Sequence, residues 1–179
     1  MRQLTVEMKL STWMLMAAVA LAPATVKAQG TLVRDGKAAG CIIIREDLAR
    51  GKLATAAEDL AGYIKKMSGA PVSRRWETDR CPGFRIYIGG TRLQPVDPAA
   101  VMPEKVGFDG FIIKTVPGGV LIAGRTDRGT AHGVYHFAEH VLGVRWFTLE
   151  EDEPICPQRN TIEIPDLDLV VKPDFEWHR

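Results

Sequence analysis

The composition lacks the features that mark nucleic-acid-binding proteins, disulfide scaffolds and structural zinc proteins. Its 179 residues include three cysteines and 7% aromatic residues, and 23 Lys and Arg nearly balance 22 Asp and Glu. A near-neutral chain without a basic run gives no support for nucleic-acid binding. The cysteines form no C-x-x-C pair and are too few for a disulfide scaffold, so a structural zinc site is not expected. The remaining composition is that of an ordinary globular domain.

One long apolar run is present, and it lies at the N-terminus. Arg2 and Lys9 precede an uncharged stretch at 10–26. This stretch is followed by small residues, of which the last is Ala28. This order is typical of a secretory signal peptide, so we predict cleavage after Ala28. A start at Met8 would give a tighter signal peptide and is favoured over Met1. The alternative is an uncleaved anchor, although the run is short for a bilayer of about 30 Å. We expect a periplasmic or secreted protein with no membrane segment after cleavage.

Residues 29–172 then have the length of one domain. Without the predicted signal peptide, 20 basic residues face 21 acidic ones. An exported chain can keep a disulfide. Cys41 lies in an apolar run and is predicted to be a buried thiol, whereas Cys81 and Cys156 each precede a proline in loop-like sequence. The pairing stays open, with Cys81 and Cys156 as the favoured pair.

Hydrophobic periodicity predicts two helices among strands. The first runs from about Leu48 to Met67, where apolar residues recur every three or four positions until Gly69. The second begins at the N-cap candidates Thr126 or Asp127 and stops at Gly143. Strands clustered between segregated helices indicate an α+β two-layer sandwich, with both helices on one mainly antiparallel sheet. The predicted strands are 32–33, 41–44, 84–88, 108–116, 120–123, 144–147, 161–164 and 167–171.

The segment His136-Phe137-Ala138-Glu139-His140 has the H-x-x-E-H form, in which two histidines bind zinc and the glutamate acts as a base. At about 100° per residue, His132, His136 and His140 lie on the helix side opposite to the apolar residues. Zinc catalysis also needs a third ligand and a sheltered cleft. We therefore interpret these histidines as an outward polar stripe facing solvent or a partner domain. His136, Glu139 and His140 are the candidate metal ligands, and we expect neither a metal nor another cofactor.

Two further patterns carry less chemistry. Paired carboxylates can hydrolyse glycosides, but the four consecutive acidic residues at 150–153 precede Pro154 and are typical of a solvated turn. Residues 124–129 match neither phosphate-binding glycine pattern, and they are predicted to be a capping turn. We assign no catalytic residue.

Residues 119–147 carry a longer pattern. A strand is followed by G-R-T-x-x-G from Gly124, by G-x-Y-x-F-x-E from Gly133 and by L-G-x-R-W-F from Leu142. This pattern resembles the N-terminal domain that precedes the catalytic barrel in α-glucuronidases and β-hexosaminidases, and also that of related uncharacterised bacterial proteins. The first helix and the strand ending in Gly89-Gly90 match in the same order, so the resemblance covers roughly residues 32–177.

The resemblance implies a small accessory unit whose catalytic carboxylates belong to a following barrel. Residues 173–179 would then be a linker or the first barrel strand, and the chain a fragment or the product of a truncated gene. In the hexosaminidase branch, an arginine of a P-x-F-x-[YW]-R element contacts the sugar. His178 stands at that position here, so Trp177, His178 and Arg179 are the candidate substrate contacts.

The expected function is therefore that of a non-catalytic N-terminal domain of an exported, glycan-degrading glycoside hydrolase. Its partners would be the barrel and the glycan substrate of the parent enzyme. The alternative is a free-standing carbohydrate-binding module that stacks sugars on Trp76 or Trp177, with Trp146 in the core. A more remote alternative is a zinc hydrolase that uses the H-x-x-E-H segment.

Overall fold

A computed structural model describes residues 28–44, 51–90, 106–147 and 153–173. Most of the predicted signal peptide, residues 148–152 and the C-terminal tail from 174 lie outside this part of the chain. The described elements are β1 (Ala28–Arg34), β2 (Lys37–Ala38), β3 (Gly40–Ile44), α1 (Lys52–Ser68), β4 (Arg74–Trp76), β5 (Phe84–Ile88), β6 (Phe111–Val116), β7 (Gly119–Gly124), α2 (Asp127–Phe137) with a π-helical turn (Ala138–Leu142), β8 (Ile162–Pro165) and β9 (Asp168–Val171).

The α+β class is confirmed, but the main sheet is mixed rather than mainly antiparallel. Its strand order is β4-β3-β5-β7-β6-β9, and the first three pairs are parallel whereas the last two are antiparallel. The central strands β3, β5 and β7 are almost entirely buried, with residues such as Ile43 and Leu121 on one face and Ile42 and Ile122 on the other. Uninterrupted apolar runs of this kind are typical of parallel strands covered on both faces.

A second, smaller sheet was not predicted from the sequence. Its strand order is β2-β1-β8, with β1 antiparallel to both neighbours. Leu32 and Ile164 from this sheet are fully buried in the same core as the helices and one face of the main sheet. The prediction of a single sheet is therefore wrong, because β1 pairs with a strand more than a hundred residues away in sequence.

Helix α1 follows the predicted apolar stripe. Leu53, Leu60 and Met67 are buried, and Gly69 ends the helix in a left-handed conformation. The helix begins at Lys52 rather than near Leu48, because Gly51 at its N-cap has a φ of 98° that no helical residue adopts.

Helix α2 begins and ends where the sequence predicts. The Thr126 side chain accepts a hydrogen bond of 3.1 Å from the Gly129 N–H, which satisfies one of the free donors at the helix start. The helix passes into a π-helical turn at Ala138, and Gly143 ends it with a φ of 84°. None of the described helices combines the length and the apolar character needed to cross a membrane.

Two predicted strands differ from the structure. Residues 144–147 do not form a strand, since Arg145 makes only an isolated bridge to Ile155. The Trp146 side chain, predicted to lie in the core, is 43% exposed. Strand β6 begins at Phe111 instead of Phe108, after a turn in which Gly110 comes so close to the Val106 carbonyl that no side chain would fit.

The favoured disulfide is also wrong. Cys41 is bonded to Cys81, with Cα atoms 6.3 Å apart, and Cys156 is a free, half-buried thiol. Cys41 lies in β3, and Cys81 lies in the chain just before β5. The Phe84 N–H donates to the Ala39 carbonyl at 3.3 Å, and this bond holds the start of β5 next to the start of β3. Strand pairing therefore brings the two sulfur atoms together, and this pairing could not be seen in the local sequence around each cysteine.

Candidate functional site

A cleft lies between the two helices, which pack side by side on the sheet. Its volume is about 360 Å³, and it opens between the N-terminal half of α1 and the middle of α2. The lining residues are Lys52, Thr55, Arg128, Ala131, His132 and Tyr135. Of these residues, only His132 is given a possible role by the sequence, as a member of the histidine stripe.

One end of the cleft is held by a bidentate ion pair. Asp109 is only 6% exposed, and Arg128 donates to its two carboxylate oxygens at 2.5 and 2.6 Å. The hydrogen bond to Asp109 is the main reason why the pKa of Arg128 is raised. Two parallel N–H···O bonds fix the guanidinium plane, so this pair anchors the start of α2 to the turn before β6.

The other end is bounded by an aromatic group. The Tyr135 hydroxyl donates a 2.6 Å hydrogen bond to Asp59 of α1. Burial and this bond raise the pKa of the Tyr135 phenol. The Trp146 ring stands edge-on against Tyr135 and Tyr63, with ring centroids 6.3 and 5.7 Å apart. These contacts hold Tyr135 in one orientation as a wall of the cleft.

In the sequence, Tyr135 and Trp146 stand out only as members of the pattern that carries the resemblance. Asp59 is 76 residues from Tyr135, so nothing in the local sequence connects them. Of the two tryptophans proposed for sugar stacking, Trp76 is half-buried with the Arg74 guanidinium 5.8 Å from its ring. Trp177 lies outside the described residues.

The histidine stripe lies on the outward side of α2. His132 and His140 are exposed, and half-buried His136 lies between the rings of His140 and Phe111, at centroid distances of 4.1 and 5.2 Å. Burial, and then the charge of His140, lower the pKa of His136. Glu139 lies 3.8 Å from His140 and 3.6 Å from the Arg145 guanidinium.

The candidate metal ligands of the H-x-x-E-H segment are not arranged as a zinc site. In the part of the chain that is described, no group of three His, Cys, Asp or Glu side chains is arranged to hold a metal ion. Glu139 contacts a neighbouring arginine, as a surface carboxylate does. Of the acidic segment at 150–153, only Glu153 is described, and it is an exposed partner of Lys66 at 3.0 Å. The substrate-contact candidates His178 and Arg179 lie outside the described residues.

A second cleft of about 420 Å³ lies beside the disulfide, on the sheet face opposite to the helices. Arg85 borders it, and its guanidinium donates to the Cys81 carbonyl at 3.1 Å and to the Tyr87 hydroxyl at 3.3 Å. These bonds brace the turn before β5.

No protein-family model and no curated protein matches this chain. Its fold is nevertheless similar to parts of solved glycoside hydrolases. One is BtGH115A, a family GH115 4-O-methyl-α-glucuronidase with specificity for decorated arabinogalactans; it has a TM-score of 0.60 and 18% identity over 83% of this chain and 19% of that one. A β-hexosaminidase of Streptomyces plicatus has a TM-score of 0.50 and 16% identity, over 87% of this chain and 26% of that one.

A GH20 β-N-acetylhexosaminidase from Streptomyces coelicolor gives a TM-score of 0.51 with the same identity and coverage, 16%, 87% and 26%. At such identities the likeness establishes a shared fold. The chain spans between 19% and 26% of the length of these enzymes. Its fold is therefore that of a domain found within larger glycoside hydrolases.

Proposed function

We propose that this chain is the non-catalytic N-terminal domain of an exported, glycan-degrading glycoside hydrolase whose catalytic residues lie in a following barrel. The observation that carries the proposal is the asymmetry of the structural likeness. It covers 83% to 87% of this chain but only 19% to 26% of the enzymes. The motifs of residues 119–147, which resemble the N-terminal domains of such enzymes, support the same position in the parent protein.

The carboxylates beside the cleft support a non-catalytic role. Glycoside hydrolysis generally needs two carboxyl groups on either side of the scissile bond, about 5 to 9.5 Å apart and able to exchange protons with substrate or water. Asp109 is held by two bonds from Arg128, and Asp59 accepts the Tyr135 hydroxyl. Both groups are engaged in holding elements of the fold together.

Export is supported by two independent features. The N-terminal sequence follows the order of a signal peptide. The Cys41–Cys81 disulfide is a bond that persists in the periplasm or outside the cell rather than in a reducing cytosol. The proposed location gives the parent enzyme access to polysaccharides or glycoconjugates.

The catalytic part of the proposal can be tested with two polypeptides. The purified chain is assayed on p-nitrophenyl glycosides of glucuronic acid and N-acetylglucosamine, and we expect no turnover above buffer. A polypeptide extended through the reading frame downstream of codon 179 should hydrolyse at least one of them. Turnover by the chain alone, or a downstream frame that encodes no barrel, would contradict the proposal.

Export and the zinc alternative have their own tests. After expression with the native N-terminus in a bacterial host, the chain should appear in the periplasmic fraction and begin at Gln29. A chain that is found in the membrane fraction and still contains residues 1–28 would favour the uncleaved anchor instead. Metal analysis after dialysis should find no stoichiometric zinc; zinc that is present in the native chain and lost in His136→Ala would support the metalloenzyme.

A further inference from the structure

We propose that the cleft between α1 and α2 binds one saccharide unit. This use goes beyond the accessory role, and it rests on the proposed function only for the choice of ligand class. The ligand we infer is a small polyol ring with one apolar face and hydroxyl groups around its edge. Shape, wall and polar lining each contribute to this inference.

The shape suits a small ligand. The cleft, of about 360 Å³, lies at the lower end of the range of about 300 to 1,000 Å³ typical of ligand pockets. It lies between two helices that pack against each other, so the backbone of its walls is held by the fold. Ala131, which also lines the cleft, is a small buried residue that is 5% exposed.

The Tyr135 ring forms a wall that is held in place before any ligand arrives. Its hydroxyl donates to Asp59 at 2.6 Å, and the Trp146 indole packs nearly perpendicular to its ring at a centroid distance of 6.3 Å. Tyrosine offers a large amphipathic contact area at a low cost in side-chain entropy. Such a ring can cover the apolar face of a sugar.

The polar lining matches hydroxyl groups, which both donate and accept hydrogen bonds. The Lys52 ammonium can donate, the His132 imidazole can donate at one nitrogen and accept at the other, and the Thr55 hydroxyl oxygen can accept. The Thr55 hydrogen is directed to the Gly51 carbonyl at 3.3 Å, so its oxygen is oriented to accept.

The charges of the described residues favour a neutral polyol over a simple anion. The charge of Arg128 is balanced by Asp109, and the carboxylate of Asp59 lies behind the Tyr135 wall. Lys52 and Arg128 are the charged residues of the lining, and the Asp109 and Asp59 carboxylates bond to lining residues from outside the cleft. A site for phosphate would concentrate positive charge around the ligand, whereas here carboxylates lie next to the cationic and aromatic lining.

The experiment is a calorimetric titration of the purified chain. The probes are oligomers of N-acetylglucosamine, xylo-oligosaccharides and galactose, with inorganic phosphate as the probe for simple anion binding. We expect saturable binding of at least one saccharide and none of phosphate. His132→Ala and Lys52→Ala should each weaken binding about fivefold, the effect of one lost hydrogen bond of about 1 kcal/mol.

His140→Ala is the matched control, since His140 lies two turns further along the same outward helix side and is exposed, away from the cleft. It should bind like the native chain, and thermal melts should show all three variants folded. Binding of no saccharide, equal binding of phosphate, or equal weakening by His140→Ala would each overturn the inference. None of these results bears on turnover of p-nitrophenyl glycosides, so the proposed function would stand or fall separately.

Discussion

Tyr135 and Asp59 connect the two helices through a single short hydrogen bond. Both side chains are partly covered, and the acceptor is a carboxylate, so the bond is charge-assisted. Hydrogen bonds of this kind contribute more than neutral ones because the ionised acceptor attracts the donor more strongly. At the scale of single residues, this contact has the clearest measurable consequence.

A double-mutant cycle measures that contact directly. Tyr135→Phe and Asp59→Asn should each lower the free energy of unfolding in urea, and their effects should be coupled by about 1 to 2 kcal/mol. Tyr135→Phe keeps the ring and its packing against Trp146, so the coupling reports the bond alone. If the double variant loses as much free energy of unfolding as the two single variants together, the hydrogen bond contributes nothing to stability.

A second prediction at this scale concerns pH. Burial and the nearby His140 lower the pKa of His136 in the folded chain, while Glu139 acts in the opposite direction. The unfolded chain therefore takes up this proton first, near pH 6.5, and the folded chain only at lower pH. The free energy of unfolding should fall as the pH drops below about 6.5, because the unfolded state binds more protons there.

The check is the urea midpoint at pH 7.5 and at pH 5.5. His136→Asn should lose less stability between these two values than the native chain. His132→Asn, an exposed histidine on the same helix, should lose as much as the native chain. A larger acid loss in His136→Asn would show that the sign of the shift is wrong.

At the scale of elements, Gly62 in the interior of α1 and Gly133 in the interior of α2 have different surroundings. Gly62 in α1 faces open space, with nothing within 4 Å of the position that a β-carbon would take. Gly133 in α2 faces the sheet, where a β-carbon would lie 2.9 Å from Ile122 Cγ2 and 3.2 Å from the Phe111 ring. Helix α2 therefore packs on the sheet more closely than any side chain at position 133 would allow.

The same substitution should have opposite effects at the two positions. Gly62→Ala should raise the free energy of unfolding by about 0.5 to 1 kcal/mol, because alanine costs less conformational entropy in a helix. Gly133→Ala should lower the free energy of unfolding by about 1 to 2 kcal/mol. Alanine brings the same entropic gain at this position, but the cost of overpacking against the sheet exceeds it. Urea unfolding of the two variants side by side checks both; a stabilised Gly133→Ala would contradict the close packing.

At the scale of the whole molecule, the Cys41–Cys81 disulfide connects β3 to the turn before β5 and encloses α1 and β4. The two cysteines are 40 residues apart in sequence. A loop of this length loses much of its freedom in the unfolded chain when it is closed, which favours folding.

Removal of the bond should lower the free energy of unfolding by about 4 kcal/mol on the loop-entropy scale. The Cys41→Ala/Cys81→Ala double variant, or the native chain under a reductant, provides the measurement. Cys156→Ala should behave like the native chain. Peptide mapping under non-reducing conditions should recover the peptides of Cys41 and Cys81 joined; a Cys81–Cys156 peptide would contradict the structure.

Much of the local structure follows from the sequence alone. The stripe from Leu53 to Met67 specifies α1 because a period of 3.6 residues places those side chains on one side. Thr126 and Gly143 define the limits of the second helical segment because a hydroxyl can cap a helix start and glycine tolerates a left-handed end. These features depend on backbone geometry within a few residues, which the sequence shows directly.

Features that depend on residues far apart in sequence are seen only in the tertiary structure. The parallel order of the central strands, the pairing of Cys41 with Cys81 and the exposure of Trp146 all follow from which elements become neighbours. The cleft is the clearest case, because Tyr135 becomes a fixed wall only when α1 brings Asp59 to it across 76 residues. Local patterns show which face of an element is apolar, but only packing shows what that face meets.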